Sequence, residues 1–553
     1  RYSRLMDGKQ IVAGYTALST QRAVFQQTLD DIAFFCLPEY ERKEKMGTDG
    51  TPIRPVTSKP AHSAQTCGGH MFANTISTGQ QWFSLRSVRD NPNDAELQRW
   101  LHRSSQTALR AIQNSNFAEA YGSMITLYCT FGTGILGIDW DPSREQLVFR
   151  NLPVNRDAYL AENAYGYVDT IYRLLRYTAS QAAQEFGVEA LPEKIRQALR
   201  DPSKAAEKFE FVHMIAPNSS PDPNRQDWKG KPYVSMYVCK ETEEIVRRSG
   251  FWKFPYACPR FIKTSEWPYG YGCGHRALYT IRQLNRGESE LINALEMANH
   301  PPIFIPDEDA LKWINLRPNS VNFMDFSQGK PWEYPVGGGN VQLLHQHVEQ
   351  LKQELDELFF IDVFLSISMR YRKEKTATEV QALDEEKLSS IGPMVVRLQS
   401  ECFSVMIERV VDLLMEYGMI DPPPESVNRE GFRVVYTSRI DTKLAQVENM
   451  QFMRAVQDAA NTLALGDQIP RLNRTVNLEE GVRAMLERSH INPGLIRSKV
   501  ERQRMEREEA EAAAAAQAME QERALVDKIN PQAPIQEGSP LARLEQLQAQ
   551  PLV

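Results

Sequence analysis

Five places in the chain combine residue types and spacings that could do chemistry. Arg370, Arg372, Lys373 and Lys375 put four cations into six residues, opposed only by Glu374. Such a run can hold phosphates without reading bases, since phosphate contacts position and base contacts specify. A solvated basic loop is the plainer reading of the same residues. Cys67-Gly68-Gly69-His70 pairs a thiol with an imidazole. A Cys–His nucleophile needs both groups brought together beside an orienting third, whereas these two are neighbours on one helix. Gly270-Tyr271-Gly272-Cys273-Gly274-His275 has the glycines of a phosphate loop, but neither GxGxxG spacing nor a following Walker lysine. Glycine-permitted close packing at a helix start accounts for it. His345 and His347 lie two apart, on opposite faces of a helix, and do not share a metal. Asp384-Glu385-Glu386 reads as a polar helix face. The residues therefore point to a protein that is not an enzyme and has no cofactor and no metal.

The elements that would position these groups belong to a large soluble chain. It has 553 residues, 42% hydrophobic and 24% charged, with a formal net charge of −7. That length exceeds what one compact core supports, and the acidic balance excludes a protein that coats nucleic acid over its whole surface. Seven cysteines are scattered without CxxC or zinc-ligand spacing, the pattern of free thiols made in a reducing cytoplasm. No secretory signal is read at Arg1 and no run approaches a membrane span.

The first half is read as α+β. Helices are expected at about Ser19–Cys36, Gln65–Ser77, Asp94–Ser115 and Phe117–Cys129. A hairpin turns at Asp141-Pro142, and Tyr167-Val168 with Ile171-Tyr172 is expected to continue its sheet. Thr178 to Phe186 is helical, and Phe209–Ile215 and Tyr233–Cys239 are strands. A helix of about 25 residues, roughly 37 Å long, then carries Leu278, Ile281, Leu284, Leu291, Ile292, Leu295 and Ala298 on one stripe. His300-Pro301-Pro302 ends it. A Pro-rich insert with a short strand at Ile303-Phe304-Ile305 leads to a second long helix bearing Val348, Leu351, Leu355, Leu358 and Phe359. Thr376-Ala377-Thr378-Glu379 is a capping box, and Gly392-Pro393 marks a kink or break. The helix resumes with Leu398, Cys402, Val405, Met406, Val410, Leu413 and Leu414 and closes at Gly418. A short strand follows at Val434-Val435-Tyr436. Pro493 opens a low-complexity helix of roughly 37 residues, about 55 Å long, that ends at Asn530-Pro531.

Five segments in order resemble the head-to-tail connector, or portal, family of short-tailed bacteriophages. They are Leu37-Pro38-Glu39 with Thr57 to Trp82-Phe83-Ser84-Leu85; Phe131-Gly132-Thr133-Gly134-Ile135-Leu136; and Gly166-Tyr167-Val168-Asp169-Thr170-Ile171-Tyr172-Arg173 with Phe186-Gly187. The others are Pro268-Tyr269-Gly270-Tyr271-Gly272, and Thr376-Ala377-Thr378-Glu379-Val380 with Gly392-Pro393 and Arg397-Leu398-Gln399. Together they span about residues 20 to 430.

The resemblance implies a mainly helical α+β portal-type subunit. Its parts would be a wing (1–268, with helices 376–430), stem helices (269–300 and 341–361) and a clip (301–340). A tunnel loop (362–375), a crown (431–492), a barrel helix (493–530) and a disordered tail (531–553) would complete it. It implies a homo-oligomeric ring, usually of twelve, at one capsid vertex of the virion, assembled in the host cytoplasm. The ring would conduct double-stranded DNA without sequence preference during packaging and ejection. Its partners would be terminase, the major capsid and scaffolding proteins and tail adaptors, with no membrane. In a twelve-mer the basic cluster becomes a belt of about 48 cations. Trp313, Phe323, Phe326 and Trp332 on the projecting insert would be docking residues. A helical nucleic-acid-processing enzyme and an internal virion or scaffold protein are the rival readings.

Overall fold

The computed structural model describes residues 7–48, 50–76, 81–88, 95–222, 224–225, 227–264, 267–306, 315, 317–318, 320–324, 332–333, 338–363, 391–424, 432–436, 453–458, 481 and 499–526. The chain divides into two units, Arg1–Leu444 and Ala445–Val553. The mixture of helix and antiparallel sheet is the expected α+β class.

Helix α1 (Gly8–Cys36) starts well before the predicted Ser19. Asp7 caps it, accepting from the Gly8 N–H at 2.8 Å. Its early turns lack a helix-packing stripe because they lie on a sheet, with Ile11 and Tyr15 buried among Tyr159, Val212, Met214 and Val238. Pro38 follows its C-cap, as expected. Helix α2 (Lys59–Thr75), strand β1 (Phe83–Ser87), α3 (Ala95–Gln113) and α4 (Phe117–Phe131) come next. They build the main core, where Trp82, Phe117, Tyr121, Phe149 and Phe403 meet.

β2 (Leu136–Asp141) and β3 (Gln146–Asn151) form the hairpin expected at Asp141-Pro142. β4 (Ala158–Glu162) and β5 (Val168–Thr178) do not continue it, contrary to the expectation from sequence. After α5 (Ala179–Phe186) and α6 (Glu193–Arg200) come β6 (Lys208–Pro217), β7 (Tyr233–Cys239) and β8 (Ile245–Phe251). These three join β4 and β5 in a separate five-stranded antiparallel meander. The free side of β2 is taken by β9 (Tyr256–Ala257). A buried arginine holds the connection between the sheets. The buried Arg22 guanidinium donates to the carbonyls of Val154, Arg156 and Ala158 and sits 3.9 Å over the Tyr159 ring. It thereby fixes the backbone where it passes from β3 to β4.

β10 (Ile262–Lys263) and β11 (Gly270–Tyr271) form a two-stranded ribbon that feeds α7 (Cys273–Asn299). Strands β12 (Ile303–Pro306), β13 (Val321–Met324) and β14 (Trp332–Glu333) form a small sheet in the order β13-β12-β14. Helix α8 (Gly338–Leu358) then returns along α7. Residues 391–398 are helical through Pro393. Whether the chain breaks on entering Gly392-Pro393 falls on residues outside those described; further on, a π-turn at Gln399–Phe403 runs into α9 (Ser404–Glu416). Gly418, with φ of 71°, ends it as predicted. β15 (Phe432–Tyr436) pairs antiparallel with β1, Phe83 opposite Tyr436, so this strand belongs to the first unit. In the second unit residues 453–458 are helical, and α10 (Lys499–Val526) is the described part of the long C-terminal helix.

Candidate functional site: a helical hairpin and its anchor

The α7–α8 hairpin is built from two apolar stripes that meet over only part of their length. Near the main core, Leu278, Ile281 and Leu284 of α7 and Val348, Leu351, Leu355 and Phe359 of α8 and its continuation are buried. Gly287 brings the helices close, for a Cβ there would stand 3.2 Å from Val348 Cγ2. Polar pairs fix the register: Thr280 Oγ1 donates to Glu354 at 3.1 Å, and Lys352 pairs with Glu288 at 3.1 Å. Away from the core the stripes run on uncovered. Ile292 and Leu295 are 46% and 45% exposed, and Leu343 on α8 is 66% exposed.

Two ion pairs tie the hairpin to the first helices. Lys59 of α2 reaches Asp356 at 2.7 Å, and Arg282 of α7 reaches Asp31 of α1, which Lys45 also binds at 2.8 Å. Burial opposes the charge on Asp31, but the two cations outweigh it and hold its carboxyl below the usual value.

The base of α7 rests on glycines. Gly132, with φ of 82°, ends α4 against β11, and a Cβ there would collide with the Gly272 nitrogen. The Phe261 N–H donates to the Gly132 carbonyl at 2.8 Å, and the Gly270 N–H donates to Thr133 Oγ1 at 2.8 Å. The glycine-rich stretch 270–275 is therefore a backbone crossing, the close packing expected of it from sequence. Beside it a buried charge cluster joins three distant segments. The Arg260 side chain donates to both oxygens of Glu401, at 3.1 and 2.7 Å, and its backbone N–H donates to the same carboxylate at 2.9 Å. Arg260 also donates to the Gly166 carbonyl and lies 3.3 Å from Glu162, which pairs with Lys263 at 2.7 Å. No motif marks Arg260 or Glu401 in the sequence, because the partners are brought together only by folding.

The other candidate residues separate cleanly. Cys67 is buried; hydrogen bonding with Cys129, partly opposed by hydrogen bonding with Cys273 and reinforced by desolvation, pushes its thiol well above the ordinary value. It is thus not a thiolate activated by His70. All seven cysteines are free and buried. His345 and His347 are both exposed. Among the described residues no group of His, Cys, Asp and Glu could hold a metal, and no helix is long and apolar enough to cross a membrane. Phe323 lies on β13 opposite Ile305 and Trp332 on β14 opposite Phe304, which puts both on the small sheet between the hairpin helices. Trp313, Phe326, Asp384-Glu385-Glu386 and the whole basic cluster Arg370, Arg372, Lys373 and Lys375 lie outside the described residues.

Comparison with known proteins agrees with the resemblance read from the sequence. A family described as bacteriophage head to tail connecting protein matches residues 9–496. The portal protein of Salmonella phage epsilon15 is 25% identical over 494 residues, covering 87% of each chain. The probable portal protein of Bordetella phage BPP-1 is 23% identical over 440 residues, 78% of this chain and 79% of its own. A match across nearly the whole length, around a long helical hairpin anchored in an α+β body, shows that this chain belongs to the bacteriophage head-to-tail connecting family.

Proposed function

We propose that the chain is the subunit of a portal ring at one vertex of a phage capsid, through which double-stranded DNA is packaged and later ejected. The observation that carries this reading is the α7–α8 hairpin. It holds a small three-stranded sheet at its far end and leaves Ile292, Leu295 and Leu343 uncovered in the single chain. Neighbouring copies around a cyclic axis would cover such a face. In this reading 1–268 and 376–430 form the wing, α7 and α8 the stem, and 301–340 the clip that meets terminase and then the tail. Residues 362–375 form the tunnel loop, 431–492 the crown and 493–530 a barrel helix. The pairing of β15 with β1 supports counting Phe432–Tyr436 with the wing. The major capsid and scaffolding proteins would surround the ring in the virion. It would do no chemistry, the force coming from a separate ATPase.

The basic cluster is the proposed contact with DNA. Phosphates spaced about 1.7 Å apart along the duplex axis would exchange among Arg370, Arg372, Lys373 and Lys375 of successive subunits. Neutralising all four should leave assembly intact and lower translocation or retention of DNA; unchanged packaging and retention would return the cluster to a solvated loop. Electron microscopy of the purified protein tests the reading as a whole. A ring with a central hole is expected, and a stable monomer at micromolar concentration would refute it.

A further inference from the structure

We infer that the π-turn at Gln399–Phe403 is a latched register shift, and that Arg260 is the latch. A π-turn holds one residue more than the α-helix around it and is less favourable than regular helix, so something must keep it in place. Here the Ser404 N–H donates to the Gln399 carbonyl, the i to i+5 bond that defines the turn. Two groups from outside hold it. Arg260 binds Glu401 at the centre of the turn through three hydrogen bonds. On the other side Tyr436 Oη donates to the Gln399 carbonyl at 3.2 Å and lies 2.7 Å from Ser404 Oγ.

If the turn anneals to α-helix while α9 stays packed, each residue N-terminal to it advances by one place. Residues 391–398 then rotate by about 100° and move about 1.5 Å along the axis. Of the three buried positions, 391, 395 and 398, the sequence tolerates this at the middle one. Val395 is 1% exposed and Val396 is 60% exposed, so the shift replaces one valine by another in the core. The hydrogen bond from Tyr128 Oη to the Met394 carbonyl, 2.9 Å, could pass to the next carbonyl. Gln399 would take the buried place of Leu398, which favours the latched form at rest.

The test uses the full assembled chain and thiol labelling, for which the seven native cysteines are buried and contribute little. Arg260→Met with Glu401→Gln removes both charges but keeps an acceptor for the residue-260 N–H, while Lys263 still pairs with Glu162. In this background maleimide labelling of Val396→Cys should fall about tenfold, as expected if most molecules adopt the second register. Labelling of Val395→Cys should rise. Deleting Ser400 removes the extra residue without moving 391–398, and should restore the original labelling at both positions. Unchanged labelling in the charge-free variant would overturn the proposal. So would a rise at both cysteines together, which means local fraying whatever the deletion does; the opposed changes at two adjacent positions decide the matter even if the deletion variant does not fold. Neither outcome bears on whether rings form.

Discussion

Replacing Ile292 and Leu295 by aspartate separates folding of the subunit from assembly of the ring. The two side chains keep 46% and 45% of their surface exposed. Fully burying a leucine or isoleucine is worth about 1.5–3 kcal/mol, so covering the remainder by a neighbour contributes about 1 kcal/mol for each. Losing both costs about 2 kcal/mol per contact, roughly thirtyfold in affinity. An unpaired carboxylate held in a dry interface adds a desolvation cost on top. Within the subunit about half of each residue is already covered, so the substitutions cost up to about 1 kcal/mol each in subunit stability. The double variant should therefore still unfold cooperatively, with a modestly lowered melting temperature by circular dichroism, yet sediment as small species at concentrations where the parent forms rings. Rings formed with unchanged concentration dependence would refute the claim that neighbours cover this face. A large loss of subunit stability would show that the face is packed inside the subunit.

Three further outcomes follow from packing and charge. Gly132→Ala forces a side chain into positive φ and against the backbone of Gly272 and Gly270; it should cost roughly 3 kcal/mol or more in thermal or denaturant unfolding. His213 is buried, stacked on Tyr237 and bonded to Ser235, and burial, then Arg173 and Arg247, hold its imidazole well below its ordinary 6.5. A depressed histidine leaves the folded state unprotonated while the unfolded chain takes up a proton. Stability present above pH 6.5 is therefore lost as pH falls from there toward the depressed value. His213→Gln should flatten that limb of the stability–pH curve, and Asp31 should add a separate loss only below about pH 4. Truncation before Val500 removes a helix whose described side chains are all exposed. The shortened chain should fold and melt like the parent and form rings that package or eject DNA poorly.

The sequence by itself determined those features whose causes are local. Apolar period and the stops at Pro38, His300-Pro301 and Gly418 placed most helices, because capping and helix termination depend on neighbouring residues. The order of five short motifs was enough to point to the family. Tertiary structure alone decided what depends on distant partners. β4 leaves β3 for a second sheet across a connection that Arg22 holds, and β15 crosses back to β1. α1 extends to Gly8 because a sheet lies beneath it, so its early turns carry no helix-packing stripe. The Arg260–Glu401 clamp and the π-turn left no trace in the sequence, since a buried ion pair between residues 260 and 401 has neither period nor spacing. The exposed ends of α7 and α8 looked like the rest of their stripes. An apolar pattern reports that a face must be covered, and only the packed chain shows which part of it the subunit covers by itself.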